Sequence, residues 1–227
     1  MAEVTPILTI DGPVGSGKGT IAARVARRLG WHLLDSGALY RLVAIAALDQ
    51  GVSPGDEAAL IRLTGALDIE FSQEGGEVIA TLDGLDVRKR MRSPETSDMA
   101  SQVATIPGVR AALRERQRAF AKPPGLVADG RDMGTVIFPD AETKIYLTAS
   151  VEVRALRRHK QLKEKGESVN LSRLSRDIEE RDHRDMNRAV APLRPARDAI
   201  VVDSTALSID QVVEKIIALM KDRSITY

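Results

Sequence analysis

Short apolar segments alternate with amphipathic ones along most of this sequence. The first apolar segment, Pro6–Asp11, is rich in β-forming residues and is followed at once by glycine and proline. Such a segment is typical of a buried strand in a parallel sheet. Ile21, Val25 and Leu29 then follow at a spacing of four, and the next residue is Gly30, which predicts a helix that ends at this glycine.

The same alternation of strand and helix patterns recurs towards the C-terminus. Further strands are predicted at WHLLDS, GLVADGRDMG, KIYLTAS and AIVVDST. Helices are predicted between and after them, at GALYRLVAIAALDQG with Ser36 as its N-cap, and at Val151–Gly166, Leu171–Ala189 and Ser208–Lys221. This order predicts an α/β fold in which a parallel five-stranded sheet carries helices on both faces. Ligands of such folds bind at the carboxyl ends of the strands.

The stretch after the second predicted helix has a different character. The sequence LDIEFSQEGGEVIATLDGLDV alternates apolar and polar residues around EGG, which predicts a β-hairpin rather than a strand–helix unit. We interpret residues 53–96 as an inserted subdomain and residues 1–52 and 97–227 as the core. Helical patterns resume at Ser97–Ala121 and are interrupted near Pro107.

Composition and charge narrow the functional classes. The 227 residues include 43% hydrophobic and only 3% aromatic residues, enough for an aliphatic core. Lysine and arginine number 33 against 32 aspartate and glutamate residues, which argues against broad nucleic-acid binding. No apolar run approaches the ~18 residues needed to cross a bilayer, and there is no cysteine for disulfides or thiolate–metal sites. We therefore expect a cytoplasmic protein that binds neither nucleic acid nor membranes.

A phosphate-binding motif lies between the first predicted strand and helix. Gly12, Gly17 and Lys18 match the pattern G-x-x-x-x-G-K, with Gly15 as an additional glycine. Small residues let consecutive backbone N–H groups surround a phosphate, the helix N-terminus adds positive potential, and the lysine bridges the phosphates. A glycine-rich turn without a ligand is the alternative, but strand, loop, lysine and helix are all in register. The residues predicted to bind ATP, here called the phosphate loop, are Gly12, Pro13, Val14, Gly15, Ser16, Gly17, Lys18, Gly19 and Thr20.

The residue after the lysine departs from the usual motif. Such loops commonly carry Ser or Thr there to bind Mg²⁺, but this chain has Gly19 followed by Thr20. We therefore expect Mg²⁺ to arrive with ATP rather than to bind the loop directly, and Thr20 to bind phosphate or act through water. The sequence GKGT is similar to the loop of nucleoside monophosphate kinases. The sequence has no Asn-Lys-x-Asp motif of the kind that GTP-binding switch proteins carry, which argues against that class.

Several arginines and carboxylates are candidates for binding an acceptor phosphate. A kinase that acts on a nucleotide must neutralise two phosphate groups, and a guanidinium group clamps phosphate oxygens in pairs. Asp129, Arg131 and Asp132 directly follow a predicted buried strand, so we interpret them as functional. Arg41 and Arg110 are further candidates, although each of them alone is more typical of a solvated surface.

Two predicted helices each bring charged side chains to one face. On the later helix the set consists of Arg181, Asp185 and Arg188, at i, i+4 and i+7. This spacing fits a substrate-binding face and an exposed, salt-bridged helix equally well. On the preceding helix the set consists of Arg154, Arg157 and Arg158. These arginines indicate either a mobile lid that closes over the transferring phosphate or a solvated basic face.

Five segments together resemble bacterial cytidylate kinases. They are, in order, TIDGPVGSGKGT, LDSGALYR, SQVATIPGVR, DGRDMGTVIFPDA and SVEVRALRRHKQL. The resemblance runs from about Pro6 to the final helix and includes an insertion of the expected kind before Ser97. It implies a phosphate-loop kinase core, a small β-containing inserted subdomain next to the monophosphate-binding region, and a helical lid around residues 151–166.

The resemblance also implies a role for each matching residue. The phosphate loop would bind ATP, and Asp129 matches the position at which related kinases hold an Mg²⁺-bound water. The residues implied to surround the phosphate of CMP are Arg41, Arg110, Arg131 and Arg188. Those implied to line the cytosine pocket are Ser36, Ser101, Arg110 and Asp132, while Arg181 and Asp185 would face the sugar. The residues implied at the transferring phosphoryl group are Lys18, Asp129, Arg131, Arg154, Arg157 and Arg158.

We therefore predict an ATP-dependent (d)CMP kinase that forms CDP or dCDP by direct in-line transfer, with Mg²⁺ as cofactor. Its predicted partners are small nucleotides, and the resemblance implies a monomer. A UMP-preferring monophosphate kinase is the nearest alternative, because the cytosine contacts come from the resemblance and not from spacing. A slow ATPase that acts as a regulatory module through the insertion is a further alternative, and it would form no acceptor-dependent diphosphate.

Overall fold

A computed structural model of the chain describes residues 5–74, 77–164, 166 and 169–222. The described residues form eight strands, nine α-helices and a π-helical turn. The strands are β1 Ile7–Asp11, β2 His32–Asp35, β3 Ile69–Glu74, β4 Glu77–Leu82, β5 Leu85–Asp86, β6 Leu126–Gly130, β7 Thr143–Thr148 and β8 Ile200–Asp203. The helices are α1 Lys18–Leu29, α2 Ser36–Asp49, α3 Glu57–Ala66, α4 Arg88–Met91, α5 Pro94–Val103, α6 Pro107–Arg118, α7 Val151–Glu164, α8 Leu171–Asn187 and α9 Ile209–Asp222. The π-helical turn, Met133–Ile137, is called the 133–137 turn below.

The chain folds as two compact units, of which the first contains the described residues up to Leu34 and those from Phe120 onwards. Its five-stranded sheet has the order β2-β6-β1-β7-β8, and β1 pairs in parallel with both β6 and β7, as β7 does with β8. The three central strands β6, β1 and β7 are largely buried, whereas the edge strands β2 and β8 are partly exposed. This confirms the predicted α/β fold with a parallel five-stranded sheet.

One face of this sheet is covered by α1 and α9. Leu8 and Ile10 of β1 are fully buried in a cluster with Val25 of α1 and Ile216 of α9. Burying an aliphatic side chain of this size contributes about 1.5–3 kcal/mol. The packing of the two helices therefore holds the ends of the strands, and the loops that follow them, in a defined arrangement.

On the opposite face the 133–137 turn lies against β1. Thr9 is fully buried there, and a Cβ atom on Gly134 would lie only 2.8 Å from the Thr9 hydroxyl oxygen. Glycine at position 134 thus permits a close approach of the turn to the sheet. Because β1 and β6 pair in register, with Ile10 opposite Asp129, the residues that follow both strands emerge at the same edge.

The predicted end of α1 is confirmed, whereas the predicted N-cap of α2 is wrong. Gly30 follows α1 in the left-handed conformation, with φ of 67°, and the N–H of Trp31 donates to the carbonyl of Ala26 at 2.9 Å. The cap of α2 is Asp35, whose carboxylate accepts a hydrogen bond from the N–H of Ala38 at 3.0 Å, and Ser36 is the first helical residue. Asp and Ser are comparable N-cap residues, so the cap position depends on where β2 ends and α2 begins.

The second unit spans Asp35–Ala119 and contains α2 to α6 together with a three-stranded sheet. β3 and β4 pair antiparallel, with Ile69 opposite Leu82, which confirms the predicted hairpin; residues 75–76 of its turn lie outside the described residues. Two helices flank Pro107 as expected, because α5 ends at Val103 and α6 begins at the proline. The predicted bounds of the insertion, 53–96, stay a prediction.

Within the described residues no helix is both long enough and apolar enough to span a bilayer.

We expect Ile216→Ala to lower the free energy of unfolding by about 2–5 kcal/mol, because it leaves a cavity where α9 meets the sheet. Leu156→Ala is the matched control, since Leu156 is 52% exposed on α7, and its effect should stay within about 0.5 kcal/mol. Urea denaturation of both variants measures the difference. Equal losses in the two variants would contradict the placement of α9 in the core.

Candidate active site

The phosphate loop joins β1 to α1 in a conformation that only glycine allows at several positions. Gly15 and Gly17 have φ of 76° and 89°, in the left-handed region that favours glycine. A Cβ atom on Gly12 would lie 2.1 Å from the carbonyl oxygen of Leu147 in β7. The loop therefore passes so close to the sheet that position 12 has no room for a side chain.

The polar groups of the loop are arranged as a phosphate site requires. Gly17 precedes α1 and supplies no side-chain cap to the first helical turn, so the positive end of the helix is not shielded by a capping oxygen. The hydroxyl oxygen of Ser16 is buried and has no hydrogen-bond partner among the described residues. Lys18 Nζ reaches back to the carbonyl of Pro13 at 3.3 Å. These groups fit the phosphate chain of a nucleotide.

Asp129, at the end of β6, lies beside the unusual glycine of the loop. A Cβ atom on Gly19 would be 3.2 Å from Asp129 Oδ2, closer than side chains normally pack. A side chain at position 19 would require this carboxylate to shift by a few tenths of an ångström. The contact places an acidic group at the start of α1.

Asp11 fixes the turn after β6 to the end of β1. Its two carboxylate oxygens accept hydrogen bonds from the backbone N–H groups of Met133, at 2.9 Å, and Gly134, at 2.8 Å. Burial raises the pKa of Asp11 to about 6, although both N–H donors and Lys18 act in the opposite direction. The bond pair holds the 133–137 turn, and with it the preceding residues 129–132, next to the phosphate loop.

Arg154, the first of the three α7 arginines, is buried in its unit. Arg154 Nη1 donates to the carbonyl of Val14 at 2.9 Å and Nε to that of Ala149 at 3.0 Å. Its Nη2 lies 2.6 Å from Asp182 Oδ2. Each guanidinium nitrogen of Arg154 is therefore engaged within the protein.

The other two arginines of α7 differ from it. Arg157 donates to the carbonyl of Ser16 at 3.3 Å and to the hydroxyl of Ser204, just after β8, at 3.0 Å. Of the three arginines predicted to share a face of α7, Arg154 and Arg157 therefore contact the phosphate loop. Arg158 is exposed.

On α8, Asp185 pairs with the arginine that follows β6. Arg131 Nε lies 2.8 Å from Asp185 Oδ2. Burial alone would raise the pKa of Asp185, but Arg131, and then Arg181 and Arg188, outweigh it, so the pKa lies below its usual value. Asp185 is therefore an anion held by surrounding arginines.

Asp132 and Arg188 form a second buried pair in the same unit. Arg188 Nη2 lies 3.9 Å from Asp132 Oδ1, and both side chains are almost fully buried. Arg188 Nε also donates to the carbonyl of Ala191, at 2.5 Å, just beyond α8. The structure thus brings together the residues predicted after β6 and those predicted on one face of α8.

The remaining predicted acceptor residues lie in the second unit. Ser36 begins α2, Ser101 is half-buried on α5, and Arg41 Nη1 lies 3.6 Å from Asp35 Oδ2. Arg110, on α6, is buried.

The guanidinium of Arg110 is held by two groups of the same unit. Its Nη1 donates to the carbonyl of Ala104 at 3.0 Å, and its carbon stands 5.7 Å from the centre of the Tyr40 ring. That distance is within the range of a cation–π interaction. The arginine is therefore kept in one orientation although it carries a charge in a buried position.

Comparison with known proteins identifies the family. The family model described as "Cytidylate kinase" matches residues 8–222. The chain belongs to the cytidylate kinase family. It is 56% identical over 218 residues to the cytidylate kinase of Aeromonas hydrophila subsp. hydrophila, covering 96% of this chain and 95% of that one. It is 57% identical over 215 residues to that of Shigella boydii serotype 4, covering 95% of each chain, and 53% identical over 221 residues to that of Methylococcus capsulatus, covering 97% and 99%.

Membership of the cytidylate kinase family confirms the predicted resemblance, and with it the prediction of a phosphotransferase that phosphorylates CMP and dCMP. The match spans both units of the fold, because it includes the second unit entirely.

Several residues of this cytidylate kinase site were missed from the sequence. Asp11 carries a weak signal, since it is an aspartate at the end of a buried strand directly before the glycine motif. Asp182 and Ser204 carry none, because each acts through an arginine that is distant in sequence, 28 residues away for Asp182 and 47 for Ser204. Tyr40 reads as an ordinary core residue of α2.

We expect Asp11→Asn to remove one component of the pH dependence of stability. The pKa of Asp11 rises from 3.8 to about 6 on folding, so between these values the folded protein retains a proton that the unfolded chain has lost. The contribution of Asp11 to the free energy of unfolding is therefore greatest below pH 4 and is lost as the pH rises through 6.

Urea denaturation between pH 4.5 and 7 measures this effect. The difference in unfolding free energy, wild type minus Asp11→Asn, should fall by roughly 1–3 kcal/mol across the range. A difference that stays constant with pH would show that Asp11 titrates in the folded protein as it does in the unfolded chain.

Proposed function

We propose that this protein transfers the terminal phosphoryl group of ATP to the phosphate of CMP or dCMP, with Mg²⁺ carried by ATP. The observation that supports the proposal is the interleaved set of buried arginines and carboxylates next to the phosphate loop, in which Arg131 pairs with Asp185 and Arg188 with Asp132. Such a set offers positive charge for a second phosphate and a carboxylate for a base.

The phosphate loop is proposed to hold the ATP phosphates. Its inward N–H groups and the start of α1 attract the phosphate oxygens, and the buried hydroxyl of Ser16 supplies a further donor. Lys18 is proposed to leave the carbonyl of Pro13 for the phosphates, where its charge stabilises the transferring group.

The proposed magnesium ion needs few protein ligands. Within the described ranges, no group of three or more acidic or histidine side chains is arranged to hold a metal directly. The residues that fit an ion bound to ATP are Asp129, whose carboxylate stands beside Gly19, and Thr20, each acting through water. When bound, the ion would supply positive charge that offsets the negative charge of the phosphates.

The acceptor is proposed to bind at the carboxyl end of β6. Arg131 uses Nε for Asp185, which leaves its two terminal nitrogens for the phosphate of CMP, shared with Arg188. Asp132 is proposed to accept a hydrogen bond from the exocyclic amine of cytosine. Arg181 and Asp185 are proposed to face the sugar. The predicted CMP-binding residues that lie in the second unit, and that stay a prediction, are Ser36, Arg41, Ser101 and Arg110.

The proposed transfer is a direct displacement. A phosphate oxygen of CMP forms a bond to the γ-phosphorus, and the bond from that phosphorus to the bridging oxygen of ADP breaks. No strong general base is needed, because the attacking oxygen is already anionic and the protein mainly orients the substrates and neutralises charge. The arginines proposed to complete the charge around the transferring group are Arg131, Arg157 and Arg158. Arg154 is proposed to act through the phosphate loop, because its guanidinium nitrogens are all engaged within the protein. A monomeric, cytoplasmic enzyme stays an expectation.

The decisive experiment follows ADP formation from ATP and Mg²⁺ with CMP, dCMP, UMP, AMP, GMP or no acceptor. We expect rapid turnover confined mainly to CMP and dCMP. Turnover mainly with UMP would keep the kinase activity and overturn the base-pocket assignment. Slow turnover that is independent of acceptor would overturn the kinase proposal and favour a regulatory ATPase.

We expect Asp132→Asn to raise the KM for CMP by roughly 10–100-fold and the KM for ATP by less than about twofold. The amide of asparagine can donate to the carbonyl of uracil, so the preference for CMP over UMP should also narrow. Glu179→Ala, exposed on the side of α8 away from Arg181, is the control and should leave both KM values unchanged. Equal rises in the KM values for ATP and CMP would place Asp132 outside the base pocket.

A further inference from the structure

Arg154 orients one peptide group of the phosphate loop. Its Nη1 donates to the carbonyl oxygen of Val14 at 2.9 Å. This peptide is trans, since the one cis bond among the described residues is Pro123–Pro124. The C=O and N–H of a trans peptide are coplanar and point in opposite directions. The N–H of Gly15, which shares the plane with the Val14 carbonyl, is therefore turned away from the Arg154 guanidinium.

Arg157 acts in the same way on the next peptide group but one. Its Nη1 donates to the carbonyl of Ser16 at 3.3 Å, so the N–H of Gly17 is turned away from it. Arg157 is itself held by Ser204, through the hydroxyl at 3.0 Å and the carbonyl at 2.6 Å. The two α7 arginines thus fix alternate peptide planes of the loop.

Asp182 holds Arg154 in this position. Asp182 lies on α8, is 7% exposed, and its Oδ2 is 2.6 Å from Arg154 Nη2. Its other oxygen, Oδ1, is buried and accepts no hydrogen bond from any described residue. A guanidinium that is 4% exposed needs a counter-ion to remain there, because an unpaired buried charge costs several kcal/mol. The carboxylate of Asp182 is the anion that this position supplies.

The contact connects two parts of the proposed site. Asp182 adjoins Arg181 in sequence and lies one helical turn before Asp185, which binds Arg131. A path of direct contacts therefore runs from the phosphate loop through Arg154 to the helix that carries the proposed acceptor residues.

We propose that Asp182 is a positioning residue for the phosphate donor, which acts through Arg154 to hold the Val14–Gly15 peptide in its phosphate-binding orientation. Asp182 itself touches neither substrate. The inference builds on the proposed role of the phosphate loop in ATP binding and assigns Asp182 to the donor, although it lies among residues proposed for the acceptor.

Asp182→Asn tests the proposal, because it preserves the size of the side chain and removes the charge that holds Arg154. We expect the Kd for ATP, measured by calorimetry without acceptor, to rise about tenfold, within the usual range for coupling between sites. The Kd for CMP, measured without ATP, should change by less than about twofold. Lys160→Ala, on the solvent side of α7 with its side chain 80% exposed, is the control and should change neither constant.

A double-mutant cycle separates this role from a general loss of stability. Arg154→Lys keeps the charge but cannot reach three acceptors at once, so it should also weaken ATP binding about tenfold. If Asp182 acts through Arg154, the double variant should bind ATP no more weakly than Arg154→Lys alone. Urea denaturation of each variant shows whether it is folded at the temperature of the titration.

Three outcomes would overturn the proposal: an unchanged Kd for ATP in folded Asp182→Asn, an equal loss of affinity for CMP, or additive effects in the cycle. If Asp182→Asn does not fold, Ser204→Ala is the alternative, because Ser204 holds Arg157 as Asp182 holds Arg154. An unchanged Kd for ATP in Ser204→Ala would contradict the proposal that these arginines orient the peptides of the loop. Failure of the proposed kinase function gives a different result from failure of the Asp182 proposal. In that case wild-type protein would form no CDP, but Asp182→Asn would still lose affinity for ATP.

Discussion

Burial of charge at the carboxyl end of the parallel sheet is the constraint on which the rest of the site depends. Asp11, Asp132 and Asp182 are each less than one-tenth exposed, and a carboxylate left alone there would cost several kcal/mol. Each carboxylate is stabilised by specific partners, which are two backbone N–H groups for Asp11, Arg188 for Asp132 and Arg154 for Asp182. The positions of the loops and of α8 follow from these pairings.

The pairings also fit the task of binding two phosphorylated molecules. Such a site needs several cations close together, and cations repel one another in the absence of substrate. Interleaved carboxylates remove this difficulty, since Arg131 is held by Asp185 before any phosphate arrives. Burial by itself would lower the pKa of Arg131, but Asp185, Asp129 and Asp182 raise it above its ordinary value. The guanidinium groups are therefore charged and oriented in advance, which is the form of catalysis expected of an enzyme that mainly positions its substrates.

Local features of the chain could be predicted well, because their causes are local. The strand before Gly12 and the end of α1 at Gly30 follow from short-range patterns and from the conformational freedom of glycine. The hairpin of β3 and β4 follows from alternation of apolar and polar residues. The N-cap of α2 could not be placed, since Asp35 and Ser36 are both good caps and the end of β2 chooses between them. The inward direction of Arg154 could not be predicted either, because the periodicity of α7 fits an exposed basic face equally well.

The sequence by itself determined the alternation of strands and helices in the first unit, the phosphate-binding motif and, through five distinctive segments, the family. Those properties depend on neighbouring residues or on resemblance, so they can be predicted without the tertiary structure. Only the tertiary structure decided which charges meet: Asp11 with the N–H groups of the 133–137 turn, and Asp182 with Arg154. The physical reason is that these groups become neighbours only when parallel strands bring their carboxyl ends to one edge and α8 packs against α7. A buried charge must then be balanced by the groups that the fold has brought next to it.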